Sequence, residues 1–373
     1  MVMDDLDDWV RLTHQPGIGR ESLRKLLAAF GSARAVLTAA PAARRAVLGP
    51  RAAADVWAKA DEAALDQHVR DVRAWLDGAD TRQVITLGDA GYPHLLMQTA
   101  DPPLLLFLDG QLDALARPAL AVVGSRSATP QGLANAHAFA RDMARRGWSI
   151  VSGMACGIDT AAHEGALDGA GPTIAVVGSG LNQVYPRANV ALARRIIQSG
   201  LLISEYPLGM PPLAANFPQR NRIIAGLSRG TLVVEAALKS GSLITARMAA
   251  EAGREVFAIP GSIHSPQARG CHLLLRQGAK LVETAEDLIE EMSGALGAPN
   301  SAASPAGAGP VLQAAPEDDT VLRALGHDPA TLDTLMARCG WPAPQLNARL
   351  LELELTGQVA RLPGGLYQRM RAA

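Results

Sequence analysis

One segment decides the fold: LAVVGSRSATP, residues 120–130. It has the pattern of a short buried strand, a glycine turn and the start of a helix, with Thr129 as the capping residue and Pro130 at the first helical position. Further short apolar runs follow along the chain, and helical stretches separate them. Because strands that alternate with helices form parallel sheets, the pattern predicts an α/β fold with a doubly wound, mostly parallel, Rossmann-like sheet.

The apolar runs also predict where the strands of this sheet begin and end. Apolar runs begin at residues 84–87, and the buried strands are predicted at 120–123, 149–151, 173–177, 201–204, 231–234, 255–259 and 280–282. Helices are predicted between them, at 130–146, 158–167, 189–198, 219–227, 243–251 and 271–277. Ligands of such sheets bind at the carboxyl ends of the strands, so the functional residues are expected in the loops that follow them.

The 373 residues are too many for one compact domain. Helical periodicity over residues 6–77 predicts a small helical domain at 1–78, followed by the Rossmann-like domain at 79–293. The stretch rich in Gly, Ala, Ser and Pro predicts a flexible linker at 294–316. Three helical patterns and a terminal hairpin then predict a winged-helix domain at 317–373, with residues 344–355 as its candidate recognition helix.

Composition bounds the function. The formal net charge is -1, so a site for nucleic acid must be a local concentration of cations. The three cysteines lie far apart and the histidines lack metal-ligand spacing, which predicts reduced thiols and no metal site. The acidic start lacks the features of a signal peptide, and no stretch has the length of a membrane span without charge. We therefore expect a cytoplasmic protein with no membrane contact.

The glycine turn of the deciding segment is a candidate anion site. Gly124 permits close approach of a ligand to the backbone, and Ser125 and the start of the next helix offer exposed amide groups. Arg126 would add a bidentate phosphate contact. The alternative is a tight turn that carries a surface arginine.

Two more glycine turns follow neighbouring strands. One contains Gly153; the other, Gly178-Ser179-Gly180, begins like a dinucleotide fingerprint but lacks its third glycine. Glu205 lies roughly where a ribose-binding acid would stand, so spacing alone leaves a nicotinamide-type cofactor open. Together the turns predict a concave floor lined by amide groups.

The segment AANFPQRNRIIAGLS, residues 214–228, is the most specific in the chain. Phe217 stands outside any apolar period, so it is a candidate stacking platform for a base, with packing of its own loop as the alternative. Arg220 and Arg222 flank Asn221 and need anionic partners. These partners could be phosphates or, in a structural network, Glu205 or Glu235.

These motifs together resemble the bacterial DNA-processing protein A family, also called Smf. The match covers about two hundred residues through the Gly124-Ser125-Arg126 turn, the Gly153 and Gly178 turns, the Phe217 to Gly226 segment, the Ser240-Gly241-Ser242 turn and Gly270-Cys271. The helical start also looks like that family's SAM-like or helix-hairpin-helix domain. The residues 16–19 there could offer amide groups to phosphate or form a plain turn.

The resemblance implies a non-enzymatic protein without a cofactor that binds single-stranded DNA, forms a homodimer and loads the RecA recombinase during natural transformation. The DNA-binding residues it implies, together with the neighbours predicted above, are Gly124, Ser125, Arg126, Gly153, Gly178, Ser179, Gly180, Asn216, Phe217, Arg220, Asn221, Arg222, Lys239, Ser240 and Gly241. Some relatives carry a lysine near Ala214 and Ala215, where Arg187 or Lys239 could substitute for it. The surface for self-association or RecA is expected at His272, Leu274 and Leu275, with core packing as the alternative.

A second hypothesis is an enzyme. Enzymes of the phosphoribohydrolase group have a similar Rossmann-like fold and act on nucleoside monophosphates. They carry a PGGxGTxxE pattern at the end of one strand. At the corresponding strand end this chain has Val234-Glu235-Ala236-Ala237. A nucleotide-binding regulator on the same fold is a further alternative. No set of nucleophile, base and orienting group emerges from the sequence.

Overall fold

The computed structural model describes residues 3–49, 61–294, 319–326, 329–362 and 364–370. Its first part is helical, as predicted. The helices are α1 (Met3–Thr13), α2 (Arg20–Phe30), α3 (Ala33–Thr38), α4 (Pro41–Leu48) and α5 (Glu62–Asp77). The side chains of Ser32 and Asp61 cap α3 and α5 by accepting backbone N–H groups. The part of the predicted helical region at 50–60 lies outside the described residues.

A nine-stranded sheet forms the centre of the molecule. Its strands are β1 (Arg82–Thr86), β2 (Leu105–Gly110), β3 (Ala119–Val123), β4 (Ser149–Ser152), β5 (Thr173–Val176), β6 (Leu201–Ser204), β7 (Gly230–Val233), β8 (Glu255–Ala258) and β9 (Lys280–Leu281). The order across the sheet is β1-β2-β6-β5-β4-β3-β7-β8-β9. Strand β2 is antiparallel to both β1 and β6, and all the other neighbours are parallel. The predicted fold class is therefore confirmed.

The helices that connect the strands cover both faces of the sheet. They are α6 (His94–Met97), α7 (Pro130–Arg145), α8 (Ile158–Asp168), α9 (Val190–Ser199), α10 (Asn216–Leu227), α11 (Ser242–Glu251), α12 (Arg269–Arg276) and α13 (Ala285–Gly294). Leu120 and Val122 of β3 pack with α7 and α8, whereas Ala121 and Val123 pack with α10, because successive strand residues point to opposite faces. Strand β2 and helices α6 and α13 were not predicted.

The helical domain packs against the edge of one face. Its buried residues share a single core with residues of the sheet, and Trp75 of α5 meets Phe107 of β2 edge to face at 5.8 Å between ring centroids. Because the two parts of the chain share this core, the helical domain rests on the sheet rather than standing apart from it.

The last described part has a core of its own. It contains α14 (Thr320–Leu325), β10 (Ala330–Thr331), α15 (Leu332–Cys339), α16 (Ala343–Leu355), β11 (Val359–Leu362) and β12 (Leu366–Arg369), with strand order β10-β12-β11. Three helices and a terminal hairpin are the predicted winged helix. Of the predicted linker, only Gly294 is among the described residues, and it ends α13. In the described parts of the chain, no helix is both long and apolar enough to cross a membrane.

Candidate functional site

A crevice opens at the carboxyl edge of the sheet between β3 and β7. From β3 the chain proceeds to β4, β5 and β6 on one side, and then to β7, β8 and β9 on the other. The loops on the two sides therefore diverge at this point, which is where open α/β sheets bind their ligands. The resulting cleft has a volume of about 550 Å³ and is lined by residues that follow β3, β4, β5, β6 and β7 and by α10. We call it the switch-point cleft.

Two interlocked glycine loops present Arg126 at the rim of the cleft. A Cβ on Gly124 would lie 2.6 Å from Ile158 Cγ1 and 2.9 Å from the Glu235 carbonyl oxygen, so only glycine fits there. Gly157 has a φ of +83° and lies against the Ser125 backbone, whose carbonyl accepts the Ile158 N–H at 3.2 Å. The two loops therefore pack directly against each other, and the Arg126 side chain is left exposed with no carboxylate of the described residues in ion-pair range.

The helix start beside this loop is already occupied by an anion from the protein itself. The carboxylate of Glu235 accepts the Thr129 N–H at 2.9 Å and the Thr129 hydroxyl at 2.5 Å, directly at the N-terminus of α7. Burial raises the pKa of Glu235, and the Thr129 hydrogen bonds oppose that shift. The helix end at which the sequence predicts a phosphate is therefore taken by the half-buried side chain of Glu235.

Aromatic rings form the opposite side of the cleft. The guanidinium carbon of Arg126 lies 5.5 Å from the ring centroid of Phe217, and the Tyr185 ring lies 5.7 Å from it. Tyr185 is 46% exposed. Phe217 is partly buried, with Gly178 directly beneath its ring. Packing and stacking are thus compatible roles for Phe217, because one ring face rests on the protein while its surroundings open into the cleft.

Arg220 lines the cleft but is anchored from within. Its side chain is buried, with 4% of the residue exposed, and donates to the carbonyl oxygens of Gly153 and Val176 and to Asn221 Oδ1. Burial lowers its pKa to about 10, against the opposing effect of Asp159. In turn, burial raises the pKa of Asp159, and Arg220 counters this. Arg220 therefore supplies positive charge to the cleft floor from a fixed position.

Arg222 does not reach the cleft. It pairs with Glu205 and with Asp101, whose Oδ2 lies 3.0 Å from Arg222 Nε. Residues two apart on a helix are rotated by roughly 200°, so Arg220 and Arg222 point in opposite directions. The structure shows Arg222 in a network with Glu205, which is the alternative that the sequence left open, and Arg222 does not line the cleft.

Several other predicted residues also lie away from the cleft. Gly178, Ser179 and Gly180 are buried, and Ser179 Oγ donates to the Gln183 carbonyl. Asn216 is buried and donates to the Gly178 carbonyl at 3.0 Å, which fixes the start of α10 over that turn. Gly153 is covered by the Arg220 guanidinium. These residues support the floor instead of presenting amide groups to a ligand.

The turn after β7 does form part of the cleft. Ser240 and Gly241 of this turn line the cleft together with Asn221 of α10. Asn221 Nδ2 donates to the Gly241 carbonyl at 3.3 Å. Lys239 is exposed just outside the lining.

The sequence interpretation missed Tyr185 and Asp159 as cleft residues. Their positions depend on the Gly178 and Gly153 turns folding back toward α10, and no local pattern encodes that contact.

A second exposed surface lies on α12 and its neighbours. Leu274 is buried in the core, as the packing alternative proposed, whereas His272 and Leu275 are partly exposed. They border a groove of about 460 Å³ with Leu238, 53% exposed, and Ile263, 75% exposed. We call Leu238, Ile263 and Leu275 the lateral patch. Such exposed apolar groups in one place are typical of an interaction surface.

The described residues contain no group of three or more His, Cys, Asp or Glu side chains arranged to hold a metal ion. His163 is fully buried with Nδ1 2.7 Å from Thr173 Oγ1, and burial lowers its pKa to about 3. These contacts give His163 a structural role. The three cysteines are unpaired, and burial raises the pKa of Cys271 to about 12.

Comparison with known proteins gives consistent matches along the chain. The family model described as DNA recombination-mediator protein A matches residues 83–293. A DprA-like N-terminal HHH domain matches residues 4–63, and a DprA winged helix domain matches residues 300–365. The family resemblance inferred from the motifs is therefore confirmed.

Individual relatives agree. The Protein Smf of Escherichia coli (strain K12) is 45% identical over 304 residues, which cover 80% of each chain. The DNA processing protein DprA of Streptococcus pneumoniae is 50% identical over 203 residues, 54% of this chain and 72% of the relative. An X-ray structure of the S. pneumoniae protein matches 75% of this chain and 95% of its own with a TM-score of 0.66 and 39% identity. The DNA processing protein A of Helicobacter pylori, whose structure was described for its single-stranded DNA binding mode, matches 57% of this chain and 97% of its own with a TM-score of 0.52 and 32% identity.

Proposed function

Since the chain belongs to the DNA recombination-mediator protein A family, we propose that it is a non-enzymatic, cytoplasmic protein that binds single-stranded DNA in the switch-point cleft. The H. pylori relative was described as binding single-stranded DNA, and this chain shares its central fold at 32% identity. In this proposal the protein processes DNA during natural transformation. It protects the incoming single strand and loads the RecA recombinase onto it.

One observation carries the proposal: the exposed guanidinium of Arg126 stands over the Phe217 ring, beside Tyr185. A cation next to aromatic faces is the combination that single-stranded nucleic acids require, because phosphates need charge and unpaired bases need a surface for stacking. Arg220 adds a second, fixed positive charge to the floor. Binding of this kind depends on salt and is largely independent of sequence.

An enzyme in this cleft is less well supported. Glu235, the carboxylate at the strand end where the phosphoribohydrolase pattern would stand, is bound to Thr129. Asp159 is buried against Arg220, with the Ala155 N–H donating to it at 3.2 Å. Both carboxylates therefore make structural contacts. Arg126 at the rim, by contrast, has no carboxylate partner among the described residues and can bind a ligand.

We assign the lateral patch to self-association. An isologous dimer needs an apolar patch that can pair with its own copy about a two-fold axis. Leu238, Ile263 and Leu275 provide apolar area, and Arg269, Arg276 and His272 surround them with polar groups, as at the rim of an interface. A homodimer would carry two clefts on one particle, which raises its effective affinity for a long strand.

The experiment is a titration of the full chain against a labelled oligothymidylate of about 20 nucleotides, longer than one binding site. Anisotropy is measured over a series of salt concentrations, with a duplex of the same length as the comparison. We expect saturable binding to the single strand that weakens as salt rises. Absence of binding at low salt would refute the proposal. Parallel incubation with nucleoside monophosphates and an assay for free base test the enzyme hypothesis.

A further inference from the structure

A cluster of charged residues joins the helical domain to α10. Arg20 and Arg24 come from α2, Asp101 precedes β2, Glu205 follows β6, and Arg222 lies on α10. Each carboxylate bridges the two parts of the molecule. Glu205 Oε1 lies 3.0 Å from Arg20 Nη1 while Glu205 Oε2 contacts Arg222, and Asp101 contacts both Arg24 and Arg222. We call these five residues the interdomain cluster.

The side chains of the two central residues of the cluster are largely buried. The side chains of Glu205 and Arg222 are 5% and 11% exposed, so neither charge could be left without its partner at low cost. Arg20 and Arg24 are four residues apart and therefore share one face of α2. Arg20 also reaches Gln219 in the first turn of α10, with Nη2 3.5 Å from its side-chain oxygen.

Helix α10 depends on such contacts because it lacks an N-terminal cap of its own. Ala215 precedes it, and no side chain caps its first turn. Two consecutive residues after β6 hold it instead. Glu205 binds Arg222, and the Tyr206 hydroxyl donates to the Asn216 carbonyl at 3.0 Å. The opposite side of the same helix carries Phe217 and Arg220, which line the cleft.

We propose that the interdomain cluster is a positioning device: through Glu205 and Arg222 the helical domain fixes α10, and thereby holds Phe217 and Arg220 in the geometry that binds DNA. Arg20 is thus a positioning residue that does not touch the ligand. This inference rests on the proposed function of the cleft. It makes the helical domain part of the DNA-binding apparatus without a DNA contact of its own.

The test compares Arg20→Ala with Arg11→Ala in the full chain. Arg11 is the matched control because it pairs with Glu62 and Asp66 inside the helical domain. Hydrogen exchange of residues 216–227 is measured without DNA, and affinity for the labelled oligothymidylate is measured over a salt series. For Arg20→Ala we expect faster exchange in α10 and a loss of affinity of roughly threefold to tenfold. The slope of log affinity against log salt should stay at the wild-type value, and Arg11→Ala should behave as wild type.

The salt slope separates positioning from direct contact. A lost phosphate contact would reduce the slope on a single strand by about 0.7, and that result would overturn the proposal. Unchanged exchange in α10, or equal losses in the Arg11→Ala protein, would overturn it too. If Arg20→Ala disrupts the helical domain, Arg20→Lys keeps one charge and should show a smaller loss in the same direction. If the wild type binds no oligonucleotide, the proposed function fails, whereas the exchange data still decide whether the cluster orders α10.

Discussion

Arg126 and Phe217 face each other across the switch-point cleft, with 5.5 Å between the guanidinium carbon and the ring centroid. One residue follows the first parallel strand and the other lies in the first turn of α10, so their contact exists only in the folded sheet. A cation over an aromatic face is attracted by the negative charge of the ring face. This attraction holds the Arg126 guanidinium over the Phe217 ring at the rim of the cleft.

The first prediction concerns Arg126. Because it is exposed and has no carboxylate partner in the described parts of the chain, Arg126→Ala should reduce the free energy of binding single-stranded DNA by about 1.5–3 kcal/mol. The salt slope should become shallower by about 0.7, and Arg126→Glu should lose more affinity. Anisotropy titrations measure both. Arg194→Ala, which removes an exposed arginine on α9, should match the wild type. An unchanged slope for Arg126→Ala would remove it from the phosphate contacts.

The second prediction separates stacking from packing at Phe217. Phe217→Leu keeps an apolar side chain over Gly178 but removes the ring, so thermal stability should change little while binding weakens by about 1–3 kcal/mol. Tyr185→Phe keeps its ring and should bind as wild type. Calorimetric melting and anisotropy are compared for the three proteins. If Phe217→Leu binds normally, Phe217 serves packing alone.

The third prediction concerns the interlocked glycine loops. Gly157→Ala places a methyl group against the Ser125 and Arg126 backbone at a φ of +83°, so it should destabilise the protein by about 1–3 kcal/mol and displace Arg126. Gly241→Ala is the control, since an added Cβ there meets no atom within 4 Å. Thermal melting ranks the two variants. Equal melting temperatures would mean that the loops tolerate the added group.

The fourth prediction is a pH dependence at Glu235. Burial raises the pKa of Glu235 above its ordinary value of 4.5, so its neutral form is favoured by folding. The associated stability is present below pH 4.5 and is lost as pH rises through the raised pKa of the folded state. Glu235→Gln cannot ionise, so its melting temperature relative to wild type should increase from acid to neutral pH. The prediction is wrong if the melting temperatures of the two proteins change with pH in the same way from pH 4 to 8.

The fifth prediction tests the lateral patch. Ile263→Glu places a charge in its most exposed part, so it should dissociate the proposed homodimer because a buried, unpaired charge is costly at an interface. Leu355→Glu alters a residue that is 80% exposed on α16 and should leave the mass unchanged. Light scattering after size-exclusion chromatography measures both. A wild-type chain that is monomeric at micromolar concentrations would contradict the assignment.

The parallel strands could be predicted to within one or two residues because they are short apolar runs bounded by small residues, and strands β3 to β7 are buried on both faces. Strand β2 could not, although Leu105, Leu106, Phe107 and Leu108 are all buried. A continuous apolar run has no period, and its antiparallel pairing with β1 and β6 gives no strand-helix alternation. Helix α13 (Ala285–Gly294) was also missed: it directly precedes the stretch whose composition predicts a linker.

At the site, the sequence could identify the loops but not how each side chain is used. The separation of Arg220 and Arg222 follows from helical geometry alone and was available from the segment at 214–228. The contact of Glu235 with Thr129 was not, because it joins two strand ends that are adjacent only in the folded sheet. The residue types predict an anion-binding position at the start of α7. Only the tertiary structure shows that the Glu235 carboxylate occupies it.

That contact has a consequence for selectivity. A helix start left open after a glycine turn attracts any phosphate, including that of a free nucleotide. In this chain the carboxylate of Glu235 fills that position, and the remaining cations lie along the rim and floor of the cleft. The cleft lining contains two such cations, Arg126 and Arg220. If the cleft binds single-stranded DNA as proposed, occupation of this helix start by Glu235 removes a contact that a free nucleotide would use, and thereby favours a strand over a mononucleotide.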